Sequence, residues 1–289
     1  LHFVKYHGLG NDFIIIDRFR GPEPSFREEL VEDLCRRGFG VGADGVILAE
    51  PPLSSGDARM LIYNADGSQA EMCGNGIRCL AAFLKEEGHV SANPMNIETG
   101  AGVRVVEVLE KGESGRMVEV DMGLPDFYRP SIPMEGEGNQ AVGVPLEVPG
   151  KTLVVTCLSM GNPHCVIFVD DVQGFPLENL GPSIEHHPLF PQRTNVEAVE
   201  VVGEDRLRVR VWERGVGITL ACGTGACASF AAALAENRTG KRVWVELPGG
   251  ELDIRLGDGG HILMRGPVVE VYRATLSEGW LKTRSPRKG

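Results

Sequence analysis

Apolar and polar residues alternate with period two along most of the chain, the signature of strands buried on one face. Val4 to Asp17 reads as a strand broken by the loop "HGLGND", and "DARMLIYNADGSQ" as a strand ending in a turn rich in Asn, Asp and Gly. "GVRVVEVLE", "GRMVEVDMG", "KTLVVTCLS", "CVIFVDD", "VEAVEVV", "RLRVRVWE", "KRVWVELPGGELDIRL" and "HILMRGPVVEVYRA" continue the pattern, with a hairpin turn at Pro248-Gly249-Gly250. Three segments break it. "SFREELVEDLCRRGFG" has helical spacing, with Ser25 as N-cap and Gly38 as stop. "GIRCLAAFLKEE" and "GACASFAAALAEN" are apolar on nearly every side, which predicts helices enclosed by other elements rather than laid on a surface. The final "KTRSPRKG" reads as a disordered polar tail.

The two apolar helices organise the chain. With Cys73 set on Cys222, Gly74 falls on Gly223, Gly76 on Gly225, and, without gaps, Tyr63-Asn64 on Trp212-Glu213. "LGNDF" and "MGNPHC" precede them at nearly the same spacing. The pattern predicts an internal duplication and an α+β fold of two pseudo-symmetric domains, each a mostly antiparallel sheet or barrel wrapped around one apolar helix.

Composition narrows the function classes. The 289 residues suffice for two domains, and a net charge of −11 without a long basic block argues against nucleic acid or an anionic membrane as partner. No apolar run reaches membrane-spanning length, the first residues lack a signal-peptide pattern, and seven cysteines suit reduced thiols, so a cytoplasmic location is expected.

Cys73 and Cys222 sit where a turn becomes a helix. A helix start offers unpaired N–H groups and a positive dipole end, which favour thiolate on a cysteine and hold a carboxylate nearby. Adjacent glycines let a ligand approach the backbone. Two such starts on either side of one carbon would let one thiolate remove an α-proton while the other thiol returns one, inverting configuration without a cofactor. Plainer readings compete. A buried cysteine is commonly a core residue, and Cys35, Cys79, Cys157, Cys165 and Cys227 read that way. The Cys73–Cys79 and Cys222–Cys227 spacings are poor for zinc, so no metal is expected. "GNGIRC" lacks the ending of a phosphate loop. Glu213-Arg214 could be a surface ion pair or could read an ammonium and a carboxylate. His164 could be structural or could tune the thiols. Asn195 could be a plain turn residue.

"KYHGLGNDF", "YNADGSQAEMCGNGIRC", "MGNPHCV", "RTNVE" and "WERGVGITLACGTGACAS" together resemble the diaminopimelate epimerase family from Val4 to about Tyr272. Proline racemase-like and phenazine-pathway enzymes share that fold, but the racemase group has His after Cys-Gly, where this chain has Asn75. The resemblance implies interconversion of LL- and meso-diaminopimelate, on the route to lysine and cell-wall peptide, with no cofactor. It implies that Cys73 and Cys222 are the acid–base pair, with His164 and Glu213 modulating their protonation. Gly74, Asn75, Gly223 and Thr224 would hold the carboxylate at the reacting centre. Asn11, Asn64, Asn162, Asn195 and Arg214 would bind substrate, Arg214 at the distal carboxylate and Glu213 at the distal ammonium. Asp44 matches a substrate-contact position that varies in the family. The family architecture places residues 1–122 in one domain, joined by a returning strand in 267–289, and 123–266 in the other. It also implies a homodimer with Tyr272 at the interface. Another cofactor-independent amino-acid epimerase or racemase, a non-catalytic binding protein on this fold and a structural zinc protein are the rival readings.

Overall fold

The computed structural model describes residues 1–21, 26–112 and 115–283. In chain order, the first elements are β1 (His2–Gly8), β2 (Asn11–Asp17), α1 (Val31–Cys35), β3 (Gly45–Glu50), β4 (Ala58–Asn64), β5 (Gln69–Ala70), α2 (Gly74–Glu86), β6 (Met95–Thr99), β7 (Gly102–Gly112) and β8 (Gly115–Asp121). They are followed by β9 (Ala141–Val148), β10 (Lys151–Ser159), β11 (Pro163–Phe168), α3 (Leu177–Glu185), β12 (Asn195–Gly203), β13 (Arg206–Glu213), β14 (Gly217–Thr219) and α4 (Gly223–Ala235). The chain continues with β15 (Arg242–Leu247), β16 (Gly250–Leu256), β17 (Ile262–Thr275) and α5 (Glu278–Thr283). It divides into two compact units, one of Leu1–Val120 with the chain from Pro267 onward, the other Asp121–Gly266.

In the first unit the pairings run β1–β2–β3–β4–β6–β7–β8–β17 and return to β1, a closed eight-stranded barrel. Closure leaves no unpaired strand edge in the ring. The pairs β2–β3 and β4–β6 are parallel, while β1–β2, β3–β4, β6–β7, β7–β8 and β1–β17 are antiparallel. Helix α2 is buried from Gly74 through Leu84, and it packs on β1, β2, β3, β4 and β7. Burying Ile77, Leu80, Phe83 and Leu84 stabilises this arrangement by about 1.5–3 kcal/mol per side chain.

The second unit repeats the order. Strands β9 to β13, then β15, β16 and the start of β17, pair in sequence, again with two parallel contacts, β11–β12 and β13–β15. Helix α4 is enclosed like α2, with Ala226, Cys227, Ala228, Phe230, Ala232 and Ala233 fully buried. Its alanines and glycines let the strands approach closely. The α+β duplication read from the Cys-Gly-x-Gly repeats is therefore present element by element.

Three local expectations change. The Ser25–Gly38 helix shrinks to a 3-10 turn at Glu28–Leu30 and the short α1, because Arg36 turns extended and the N–H groups of Gly42 and Ala43 return to the last helical carbonyls, Leu34 and Cys35. Ser25, the expected N-cap, lies outside the described residues. Helix α3 was not anticipated, because its Gly181-Pro182 reads as a turn. Gly181 is there for proximity: a Cβ on it would come 2.7 Å from the Trp212 ring. Lys282 and Thr283, expected in a disordered tail, form the end of α5, whose Trp280 N–H is capped by the Ser277 hydroxyl at 3.2 Å. The rest of that tail is outside the described residues.

Candidate active site

Both repeated cysteines are helix N-caps. Cys73 is extended (φ −142°, ψ 122°) and its Sγ accepts the Gly76 N–H at 3.5 Å. Cys222 is extended (φ −125°, ψ 113°) and its Sγ accepts the Gly225 N–H at 3.4 Å. The sulfur thus does what a Ser or Asp oxygen does at an ordinary N-cap. The following residues, Gly74-Asn75 and Gly223-Thr224, are the first helical positions, where backbone N–H groups have no intrahelical acceptor.

Around Cys73 the first unit holds a polar network. The thiol lies 3.8 Å from Asn11 Oδ1, which also accepts Asn75 Nδ2 at 3.1 Å. Asn75 is nearly fully buried, and its Oδ1 accepts Arg78 Nη2 at 2.8 Å. Asn11 in turn donates to Asp44 Oδ2 at 2.9 Å. Asp44 Oδ1 receives Arg37 Nη2 at 2.9 Å, and Arg37 also pairs with Asp12, which meets the buried Lys5 at 2.8 Å. Burial pushes the Asp12 carboxyl up, and Arg37 and Lys5 more than reverse it, leaving it below its usual value. Asp44 thereby orients Asn11. Asn64 ends β4, exposed, with Nδ2 on Ser68 Oγ at 3.0 Å.

Around Cys222 the second unit builds a corresponding network. Asn162, the counterpart of Asn11, donates from Nδ2 to Thr224 Oγ1 at 3.3 Å, whereas Asn11 accepts from Asn75. Thr224 Oγ1 lies 3.5 Å from Cys222 Sγ. His164 is fully buried, with Nε2 2.9 Å from Asn162 Oδ1 and Nδ1 2.7 Å from Glu197 Oε1. Glu213, the counterpart of Asn64, accepts Thr219 Oγ1 at 2.6 Å, and its carboxylate acts electrostatically on Cys222. Asn195 is buried and donates to Pro163 O at 2.8 Å, while its Oδ1 accepts the Arg214 N–H at 2.9 Å. The Arg214 side chain is exposed, with Nη1 on Gln192 O at 3.2 Å.

The helix-start argument for an accessible thiolate fails at Cys222. Burial and then the Glu213 carboxylate push this thiol well above its usual value. The Thr224 hydroxyl and Gly225 N–H pull it down by less. Cys222 rests as a thiol, with its sulfur accepting the Gly225 N–H, and the Glu213 carboxyl is itself raised chiefly by burial. Cys79 and Cys227 are fully buried within their helices, as core residues are. The residue that sequence reasoning missed is Glu197. It lies within "RTNVEAVE", and nothing in the alternation separates it from the half-buried Glu200. Among the described residues, Asp17, Glu87 and His89 are near enough together to share an ion, but Asp17 already pairs with His89 and Glu87 with Arg20 and Arg273.

The paired strand-wrapped helices define a fold shared with solved epimerases and isomerases. The chain superposes with a TM-score of 0.67 on a phenazine biosynthesis protein of the PhzF family from Bacillus anthracis, at 16% identity over 96% of this chain and 99% of that one. A probable proline racemase from Agrobacterium radiobacter gives 0.65, at 16% identity over 96% and 93%. The particular family is given by sequence. The family model described as diaminopimelate epimerase matches residues 3–128 and 156–271. The diaminopimelate epimerase of Synechococcus elongatus is 51% identical over 279 residues, 96% of this chain and 98% of the relative. That of Pelotomaculum thermopropionicum is 50% identical over 273 residues, 94% and 97%. The chain belongs to the diaminopimelate epimerase family, a family of isomerases.

Proposed function

We propose that this chain interconverts LL- and meso-2,6-diaminopimelate, in lysine and cell-wall precursor biosynthesis, by a two-base mechanism in which Cys73 and Cys222 act on opposite faces of one α-carbon without a cofactor. The observation that carries the reading is the duplicated cap: two cysteines in equivalent places, each with its sulfur on the N–H of the glycine three residues on. In the forward direction one thiolate takes the α-proton, breaking the C–H bond and leaving its electron pair on a planar carbanion. The other thiol delivers its proton to the opposite face, and the roles exchange in reverse. The helix-start N–H groups at Gly74-Asn75 and Gly223-Thr224 would stabilise the charge that develops on the adjoining carboxylate. His164 and Glu213 set thiol protonation. Asn11, Asn64, Asn162, Asn195 and Arg214 hold the substrate, with Arg214 on the distal carboxylate and Glu213 at the distal ammonium, and Asp44 acts through Asn11. Residues 1–122 with 267–289, and residues 123–266, form the two cooperating domains.

We further infer a cytoplasmic homodimer. Among the described residues no helix is long and apolar enough to cross a membrane. Tyr272 is 41% exposed beside the more exposed Val271, with its ring edge-on to Phe3 at 6.0 Å. The test of the reaction is turnover of LL-diaminopimelate in deuterated water, read at low conversion. Product with one deuterium at the inverted carbon, beside substrate still carrying protium, is expected. Product retaining the substrate's proton would mean one base serving both faces. Turnover of proline or hydroxyproline in place of diaminopimelate would point to the racemase group.

A further inference from the structure

His164 and Glu197 stand where the first unit has Phe13 and Ile47. Phe13 lies two residues after the loop asparagine Asn11 and pairs with Gly45 on the parallel neighbour; His164 lies two after Asn162 and pairs with Asn195. Two residues further along those neighbours come Ile47 and Glu197. Each faces the glycine in the first turn of its helix: a Cβ on Gly76 would lie 3.1 Å from Ile47 Cδ1, and one on Gly225 would lie 2.9 Å from Glu197 Oε1. All four side chains are buried. The first unit fills this place with carbon. Filling it with an imidazole and a carboxyl costs desolvation that apolar packing avoids, so stability does not explain the pair.

Its hydrogen-bond directions suggest what does. Asn162 Oδ1 can only accept, so His164 Nε2 donates to it at 2.9 Å. A second proton lies between Nδ1 and Glu197 Oε1, 2.7 Å apart, leaving the pair neutral overall. With Oδ1 held by the imidazole, the Asn162 amide points Nδ2 at Thr224 Oγ1. Thr224 Oγ1 accepts there, so its own proton is free to be donated to Cys222 Sγ. We propose that Glu197 is a positioning residue: by holding His164 it fixes a one-way chain, His164 to Asn162 to Thr224 to Cys222, that delivers a hydrogen bond to the sulfur and favours the thiolate when Cys222 is the base. The other titratable groups facing this chain are Glu213 at Cys222, and the Cys157–Cys165 thiol pair beside Glu197. The proposal rests on Cys222 being a reacting thiol.

The test is the pH dependence of Cys222 alkylation by iodoacetamide, followed by peptide mass spectrometry without substrate, in wild type and Glu197→Gln. Weakening one hydrogen bond to the sulfur is worth about threefold to tenfold, so the alkylation midpoint should rise by roughly half to one pH unit. kcat should fall by a similar factor in the direction that uses Cys222 as base, with KM little changed. Thr224→Val should show the same midpoint shift, and the double variant no more than either single one. If Glu197→Gln does not fold, His164→Phe/Glu197→Ile, which copies the apolar pair of the first unit, is read instead with the same expectation. An unchanged midpoint overturns the proposal. So does a downward one, which is what loss of a nearby negative charge alone would give. Full turnover by Cys222→Ala would instead remove the underlying assignment, whatever the alkylation profile.

Discussion

The Asn195 side-chain carbonyl accepts the Arg214 backbone N–H at 2.9 Å, and the same amide donates to Pro163 O at 2.8 Å. One buried side chain thus ties the start of β12 to β11 and to the turn after β13. In Asn195→Asp the donor to Pro163 is lost and a carboxylate faces a carbonyl. A loss of about 1–3 kcal/mol in chemical denaturation is expected, the usual cost of a buried polar group left unmatched. Unchanged stability would show that the turn is held by other contacts.

Arg214 itself is exposed, with Nη1 on Gln192 O and its backbone anchored by Asn195. Arg214→Lys keeps the charge and loses the planar fork. Steady-state kinetics with LL-diaminopimelate should show most of kcat/KM lost, and wild-type kinetics would show that the residue clamps no carboxylate.

Buried thiols make stability fall in alkali. Burial pushes Cys35 and Cys79 to about 12 and raises Cys222, and Cys165 is raised by its Cys157 partner and then by burial. For each, the folded value lies above the unfolded one. The stabilising contribution is whole below the ordinary thiol range and is lost as pH rises toward the folded value, because the unfolded chain sheds the proton first. Denaturation midpoints should therefore decline above about pH 9. Cys79→Ala should lose about 1–2 kcal/mol at pH 7 but decline less steeply. An equally steep decline would assign the effect to other groups.

Much of this was readable in the chain. The two Cys-Gly-x-Gly repeats marked the helix starts to within two residues of Gly74 and Gly223, because the sulfur cap on the N–H three residues on is a local requirement. Helix α3 was hidden because Gly181 answers to Trp212, a residue distant in sequence. Glu197 was hidden for a similar reason: β12 is buried on both faces through Val199, so alternation cannot mark which carboxyl points inward. The raised Cys222 thiol follows first from its burial, and then from the Glu213 and Glu197 carboxylates that only the fold brings near it.

Tyr272 should anchor the dimer, as tyrosine is favoured in such places. Sedimentation should show a dimeric wild type, and Tyr272→Ala should dissociate at concentrations where wild type does not. A monomeric wild type would refute the assembly, and a variant that stays dimeric at nanomolar concentration would take Tyr272 out of the interface core.

The central claim is that two thiols, and only these two of the seven, carry the proton. Its most direct test is the rate of LL-to-meso conversion by purified Cys73→Ala and Cys222→Ala, each with its fold checked by circular dichroism and compared with Cys79→Ala and Cys227→Ala. The account predicts that the first two keep the fold and lose epimerisation, while the helix-core variants stay active and lose only stability. Near wild-type conversion by either Cys73→Ala or Cys222→Ala would contradict it.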